Sequence, residues 1–142
     1  MKMKISEIMS RDVTLTTPDE SIREAARKMR EIDAGILPVS EGDRLVGMIS
    51  DRDLAIRALA DGRLPDTPVR EVMSTDIRYL FEDETTESLG DNIEDNRLRR
   101  FPVVNRDKRL VGIVSVGDLA RHSQDTRQVA SALHAVSGNR QG

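Results

Sequence analysis

Leu45-Val46-Gly47-Met48-Ile49-Ser50-Asp51-Arg52-Asp53 returns later in the chain as Leu110-Val111-Gly112-Ile113-Val114-Ser115-Val116-Gly117-Asp118, a β-rich run that ends both times in Ser-x-x-Asp. A return at fixed spacing is read before local structure, because it makes the fold two copies of one supersecondary unit. The offset here is 65 residues; it is 64 for Leu37-Pro38-Val39, which returns as Phe101-Pro102-Val103. One residue has therefore been added in the turn between the two runs. Further out, Ile5-Ser6-Glu7-Ile8-Met9-Ser10-Arg11-Asp12-Val13 returns as Val69-Arg70-Glu71-Val72-Met73-Ser74-Thr75-Asp76-Ile77, again at 64. Pro, Gly and Asp recur in the same order, which shared apolar patterning alone does not produce.

Each copy reads as strand, helix, strand, strand, helix, an α+β pattern. Ser21 and Glu24 stand at capping-box spacing before a helix whose face is marked by Ile22, Ala25, Ala26 and Met29, with Gly35 as its expected stop. Residues 36–39 and 45–50 are predicted strands, and Glu41-Gly42-Asp43-Arg44 suits the hairpin turn joining them. The closing helix is expected from about Arg52 to Ala60. Pro65-Asp66-Thr67-Pro68 resists helix and central strand alike, so the chain divides into a first domain (1–64), a linker (65–68), a second domain (69–124) and a C-terminal helix with a loose tail (125–142). The second copy's first helix, over 86–96, carries Gly90, Asn92 and Asn96, poor helix formers that packing must support. In 126–136, Val129, Ala130, Leu133 and Val136 form an apolar stripe expected to pack on the chain itself or on a dimer mate.

The chain has 142 residues, 37% apolar and 33% charged, which suits one compact domain or two small ones sharing a core. It has no cysteine, which excludes disulfides, thiolate metal sites and cysteine nucleophiles. A net charge of −3 and only three aromatics (Tyr79, Phe81, Phe101) argue against nucleic acid as a partner. No apolar run approaches the roughly 18 residues of a membrane span, and a cytoplasmic location is expected. His122 and His134 lack metal-ligand spacing. The proximity of Ser115, Asp118 and His122 supplies neither a positioned base nor an oxyanion pocket, so the chain is read as no enzyme.

The hydrophobic-Pro-Val strand, the Leu-Val-Gly-hydrophobic-hydrophobic-Ser strand and the Asp that opens the next helix together resemble the CBS domain, named after cystathionine β-synthase. The resemblance covers about residues 5 to 122, and its tandem occurrence makes it look like the small free-standing bacterial CBS-pair proteins. It implies a Bateman module, with two repeats packed sheet to sheet about a pseudo-twofold axis and a homodimer as the working form. It also implies a regulatory role toward an unidentified protein partner, with an adenine nucleotide such as AMP or ATP as ligand in a cleft between the repeats and no cofactor required.

Two readings of Ser50-x-x-Asp53 and Ser115-x-x-Asp118 stand side by side. Ser-x-x-Asp is a helix cap in its own right. The same position, at the positive end of a helix, also suits phosphate and ribose. The resemblance gives Asp53 and Asp118 the ribose, and Ser50 and Ser115 the phosphate. It also puts adenine beside Val13, Thr14, Leu15 and Thr16, and beside Ile77, Arg78 and Tyr79. Pro38 and Pro102 shape strands near the site. Arg97, Arg99 and Arg100 precede the second Pro-Val strand, where the first copy has Asp33-Ala34-Gly35-Ile36. In the family, residues at this place reach the phosphate of a ligand whose ribose the other repeat holds, so the resemblance makes Asp53, with Arg99, Arg100 and Arg52, the better-charged site, guanidinium forks pairing with phosphate oxygens. The other reading has these arginines solvated or paired with Asp91, Glu94 and Asp95, and Asp118 has Gly117 in place of Arg52. The alternative reading is a ligand-free CBS-pair scaffold in which both motifs are only caps.

Overall fold

The computed structural model describes residues 3–96, 98–122 and 126–138, without the side chains of 126, 128 and 138. In chain order it contains α1 (Ile5–Ile8), α2 (Ile22–Ile32), β1 (Ile36–Glu41), β2 (Arg44–Ser50), a wide helical stretch (Asp53–Leu59), β3 (Leu80–Phe81), α3 (Thr86–Asn96), β4 (Arg100–Val104), β5 (Leu110–Ser115), α4 (Val116–His122) and α5 (Thr126–Gly138). The strands form two small sheets, ordered β1-β2 and β3-β4-β5. The chain is thus a tandem of mixed α and β units, as its repeats require. Two compact units result. One comprises Thr14–Ile77 with Lys108–Leu110; the other comprises the residues up to Val13, then Arg78–Asp107 and the chain from Val111 onward.

In the first-repeat unit β1 and β2 form an antiparallel hairpin, with Ile36 opposite Ser50 and Pro38 opposite Met48, and a bulge between Val39 and Ser40. Gly42 makes the turn at φ 62°, a left-handed conformation that costs glycine little. The first expected strand shrinks to one parallel bridge, Thr16 to Val39, held by Thr16 N–H to Pro38 O at 3.0 Å and Ser40 N–H to Thr16 O at 2.9 Å. Helix α2 starts as anticipated, with Ser21 Oγ accepting the Glu24 N–H at 3.1 Å. It buries Ile22, Ala25 and Met29 against Leu37, Val39, Ile49, Ala58, Val69 and Val72.

Three local expectations are corrected. Asp33, at φ 52°, ends α2 rather than Gly35, its N–H turned back to the last helical carbonyls. Ala26 is exposed, so the α2 face is narrower than the apolar pattern suggests. Asp53–Leu59 winds in wide turns, with Ala60 N–H reaching Ala55 O at 3.0 Å, five residues back instead of four.

In the second-repeat unit β3 lies parallel to β4, with Leu80 opposite Val103 and Phe81 opposite Val104. Phe101, Leu80, Leu89, Ile93, Val103, Val114 and Leu119 make the core. The weak helix α3 is supported in two ways. Asn92 and Asn96 donate from their side-chain amides to Ser88 O (2.9 Å) and Asn92 O (3.0 Å), and α5 packs across its face. The residues of α5 that meet this core are Val129, Ala132 and Val136. Leu133 is 44% exposed and Ala130 is exposed, so the stripe runs 129, 132, 136 rather than through 130 and 133.

The repeats exchange their leading segments. Ser10, from the start of the first copy, pairs with Ile113 of β5 through hydrogen bonds of 2.8 and 2.9 Å. Ser74, from the start of the second copy, pairs with Met48 of β2 at the same distances. Both contacts depend on a strand glycine. A methyl group on Gly47 would sit 2.8 Å from Met73 Sδ and 2.9 Å from Ser74 O; on Gly112 it would sit 2.6 Å from Met9 Sδ and 2.8 Å from Ser10 O. The thioether could swing aside, but the backbone carbonyl is held by the pairing itself. Gly47→Ala and Gly112→Ala are each expected to lower stability by about 1–3 kcal/mol through overpacking. Urea unfolding curves check this.

Candidate functional site

The Ser-x-x-Asp motifs fold as reciprocal caps where a strand hands over to a helix. In the first-repeat unit Ser50 N–H donates to Asp53 Oδ2 at 2.9 Å and Asp53 N–H donates to Ser50 Oγ at 3.1 Å. In the second-repeat unit Ser115 N–H donates to Asp118 Oδ2 at 2.9 Å, Asp118 N–H to Ser115 Oγ at 3.2 Å, and Ser115 Oγ to Asp118 Oδ2 at 3.0 Å. Each cap uses one carboxylate oxygen and leaves the other for different work.

That second oxygen separates the two motifs. Asp53 Oδ1 has Arg57 4.0 Å away, at the limit of an ion pair, and the Arg57 side chain is half exposed. Asp118 Oδ1 is held directly by the Arg121 guanidinium, while His122 Nδ1 lies 3.0 Å from Asp118 O. Both arginines follow from helix spacing, four and three residues past their aspartates, a signal present in the sequence that its reading passed over.

The remaining candidates fall on definite elements. In the first-repeat unit Thr14 and Leu15 are half-buried and lead into the buried Thr16 beside β1. Pro38 is buried within β1, Ser50 ends β2, Arg52 is exposed, and Ile77 is half-buried. In the second-repeat unit Val13 and Tyr79 are half-buried, Arg78 is exposed, Pro102 is buried in β4, and Ser115 ends β5. Tyr79 stands edge-on to Phe81, their ring centroids 5.7 Å apart, and Arg106 lies over the Phe81 ring. Arg99 accepts the Val116 N–H on its carbonyl at 2.9 Å, and Arg100 opens β4, half-buried. Arg97 lies outside the described residues. Within each unit the strand, the proline and the cap therefore belong to one sheet and its attached helix.

Sequence reasoning also missed Glu20 and Lys28. Lys28 Nζ donates to Leu15 O at 2.9 Å and to Glu20 Oε1 at 2.8 Å, and Thr16 Oγ1 donates to the same Glu20 oxygen at 2.6 Å. The pair pins the Thr14–Thr16 segment, the proposed adenine edge, to α2. Among the described residues no group of three or more His, Asp or Glu is placed to hold a metal ion, and no helix is long and apolar enough to cross a membrane.

Two hairpins, each closed by the other copy's leading segment and each ending in a serine–aspartate cap, make this a tandem-repeat module of mixed α and β structure. The chain belongs to the CBS domain family, which it matches over residues 5–59 and 69–125. The CBS domain-containing protein YhcV of Bacillus subtilis is 37% identical over 133 residues, 94% of either chain. The crystal structure of Hypoxic Response Protein I with two coordinated zinc ions is 38% identical, with a TM-score of 0.77 over 84% of this chain and 98% of that one. The CBS domain pair of protein MJ0100, in complex with 5-methylthioadenosine and S-adenosyl-L-methionine, is 28% identical, with a TM-score of 0.73 over 85% and 95%.

The Glu20 network gives a pH signature. Burial pushes the Glu20 carboxyl up, but the hydrogen bonds from Lys28 and Thr16 outweigh it, and the net effect is below the ordinary 4.5. A carboxyl depressed on folding stabilises the fold above its unfolded value, and that contribution is lost as pH falls through the folded value. Glu20→Gln should therefore reduce stability at neutral pH by less than about 1 kcal/mol, since the pair is part-exposed. Below the ordinary carboxylate range its unfolding midpoint should converge with that of the native chain, as read by urea titration at stepped pH.

Proposed function

We propose that this CBS pair is a non-enzymatic regulatory module of the cytoplasm, that it works as a homodimer, and that its ligand is an adenine nucleotide (AMP, ADP, ATP or a related adenosyl compound). Asp53 takes the ribose hydroxyls; Ser50, Arg52, Arg99 and Arg100 take the phosphate; Thr14, Leu15, Thr16 and Ile77 border the adenine. Ser115, Asp118, Val13, Arg78 and Tyr79 form the counterpart set, with Pro38 and Pro102 shaping the two strands. A protein partner reads the liganded state.

The observation that carries this reading is the uneven state of the two carboxylates. Asp53 spends Oδ2 on its cap and holds Oδ1 4.0 Å from Arg57, so a ribose hydroxyl can donate to it without displacing a close ion pair. Asp118 has Oδ1 occupied by Arg121 and would have to break that contact first. The adenosyl compounds held by the CBS pair of MJ0100 add support for the ligand class. Both motifs also form complete reciprocal caps from their own serine and aspartate, which favours a second reading, the ligand-free scaffold.

Thermal unfolding in a panel of AMP, ADP, ATP and S-adenosylmethionine separates the two. At a hundredfold excess over Kd a ligand of the folded state contributes about 2.7 kcal/mol, a rise of several degrees in Tm for a chain this size. Asp53→Ala lowers the unliganded Tm through the lost cap. It should also remove most of the ligand-induced increment, while Asp118→Ala retains it. Arg99→Ala and Arg100→Ala should weaken the phosphorylated ligands and spare adenosine. A melting curve that no ligand moves would leave the scaffold standing and end the nucleotide reading.

A further inference from the structure

With no cysteine in the chain, its only sulfur is the thioether of six methionines, and two of these hold matched places. Met9 and Met73 stand at the 64-residue offset, each just before the serine that pairs with the other copy's hairpin. Each lies half-buried against the core of its unit, its sulfur directed at a strand glycine. A Cβ on Gly47 would stand 2.8 Å from the Met73 sulfur, and one on Gly112 2.6 Å from that of Met9. Met29 and Met48, by contrast, are buried to 6% and 7% exposure. An oxygen added to Met9 or Met73 has two places to go: against the glycine backbone, where not even a methyl group fits, or among the apolar side chains beside the thioether. A sulfoxide is polar and bulkier, so the side chain that fills this contact as a thioether leaves it once oxidised.

In the first-repeat unit the same segment has a second hold. Met73 O accepts Arg57 Nη1–H at 3.3 Å, and that nitrogen is the one 4.0 Å from Asp53 Oδ1. Carbonyl and carboxylate thus compete for one guanidinium nitrogen. We propose that Met73 and Met9 are paired oxidation sites for a hydroperoxide, and that sulfoxide formation at Met73 releases Ser74 from Met48 and delivers Arg57 to Asp53. The sulfur lone pair attacks one peroxide oxygen, and the S–O bond forms as the O–O bond breaks. The proton of the attacked oxygen passes to the departing one, which leaves as water or, from an alkyl hydroperoxide, as an alcohol. Sulfur gives up two electrons and the peroxide takes them up. With the segment loosened, Met73 O no longer holds Arg57, and Asp53 Oδ1, four residues back on the same helix, attracts it by charge. The carboxylate is then occupied as Asp118 is by Arg121. At Met9 the same chemistry loosens Ser10 from Ile113. The step at Asp53 rests on the nucleotide reading above, whereas the two oxidation sites do not.

Treating the full-length protein with hydrogen peroxide tests both steps. Mass mapping should show Met9 and Met73 gaining oxygen ahead of Met29 and Met48. In hydrogen exchange the paired amides of Ser74 and Met48, and of Ser10 and Ile113, should lose protection by about tenfold or more. Met73→Leu, a filler of similar volume that does not oxidise, should spare the first pair alone, and Met9→Leu the second alone. The double variant, which keeps Met3, should spare both. Met73→Gln, polar like the sulfoxide, should expose the first pair without peroxide. Methionine sulfoxide reductases with dithiothreitol should restore the oxidised native chain. Equal reaction at Met29 and Met48, or oxidised Met9 and Met73 with protection unchanged, would overturn the sites. For the step at Asp53, peroxide should abolish the nucleotide-induced rise in Tm of the native chain and leave it in Arg57→Ala. A rise that survives oxidation of the native chain overturns the Arg57 step and keeps the nucleotide reading. No rise in the untreated chain ends that reading and the Arg57 step with it, while hydrogen exchange still decides the oxidation sites.

Discussion

Everything in this fold hangs on two places where backbone meets backbone with no Cβ between them. At Gly47 and Gly112 a Met-Ser segment lies so close to a hairpin strand that a methyl group would press on a carbonyl oxygen under 3 Å away. The approach lets Ser74 pair with Met48 and Ser10 with Ile113, covering sheet edges that would otherwise offer unpaired N–H and C=O groups. The methionines then fill the space over the glycines, a task suited to an unbranched, adaptable side chain. The repeated Leu-Val-Gly and the repeated Met-Ser are thus two halves of one contact.

That pairing also marks the boundary of what the sequence makes legible. The repeat, the hairpins, the Ser21 cap and the Ser-x-x-Asp caps follow from local rules, because each depends on residues a few positions apart. The exchange of leading segments leaves no local signal: Met73 and Gly47 each recur, but nothing between them says which copy joins which. The end of α2 was misread for a related reason. Gly35 is the cheaper left-handed residue, yet the helix stops two residues earlier at Asp33, a residue type that also visits the left-handed conformation and does so here at φ 52°. The α5 stripe shows the same limit, since several apolar faces fit 126–136 and tertiary contact selects the one through Ala132. Of the candidate site, the caps and their division into two copies were readable. The unequal state of the two carboxylates was readable too, through Arg57 and Arg121, but only once the helices are taken as given.

The caps illustrate how one group of atoms serves stability and, under the proposed function, recognition as well. A carboxylate has two oxygens, and a reciprocal cap needs one. The helix start is then fixed before any ligand arrives, so the remaining oxygen points from a rigid support rather than from a mobile loop. Whether that oxygen is available depends on one neighbouring guanidinium, near in one copy and distant in the other. Duplicated units diverge readily by such means, since a single arginine three rather than four residues along the helix changes the outcome while the hairpin and its cap stay the same.

The exchanged segments have a consequence for how the polypeptide matures on the ribosome. Ser10 leaves the exit tunnel early, but its strand partner Ile113 follows roughly a hundred residues later, so the unit they share closes through one of the most distant contacts in the chain. The Thr14–Ile77 region has nearly all its partners by the time Ile77 has emerged, and it is positioned to condense first. Until β5 appears, the N-terminal segment therefore has no strand to pair with.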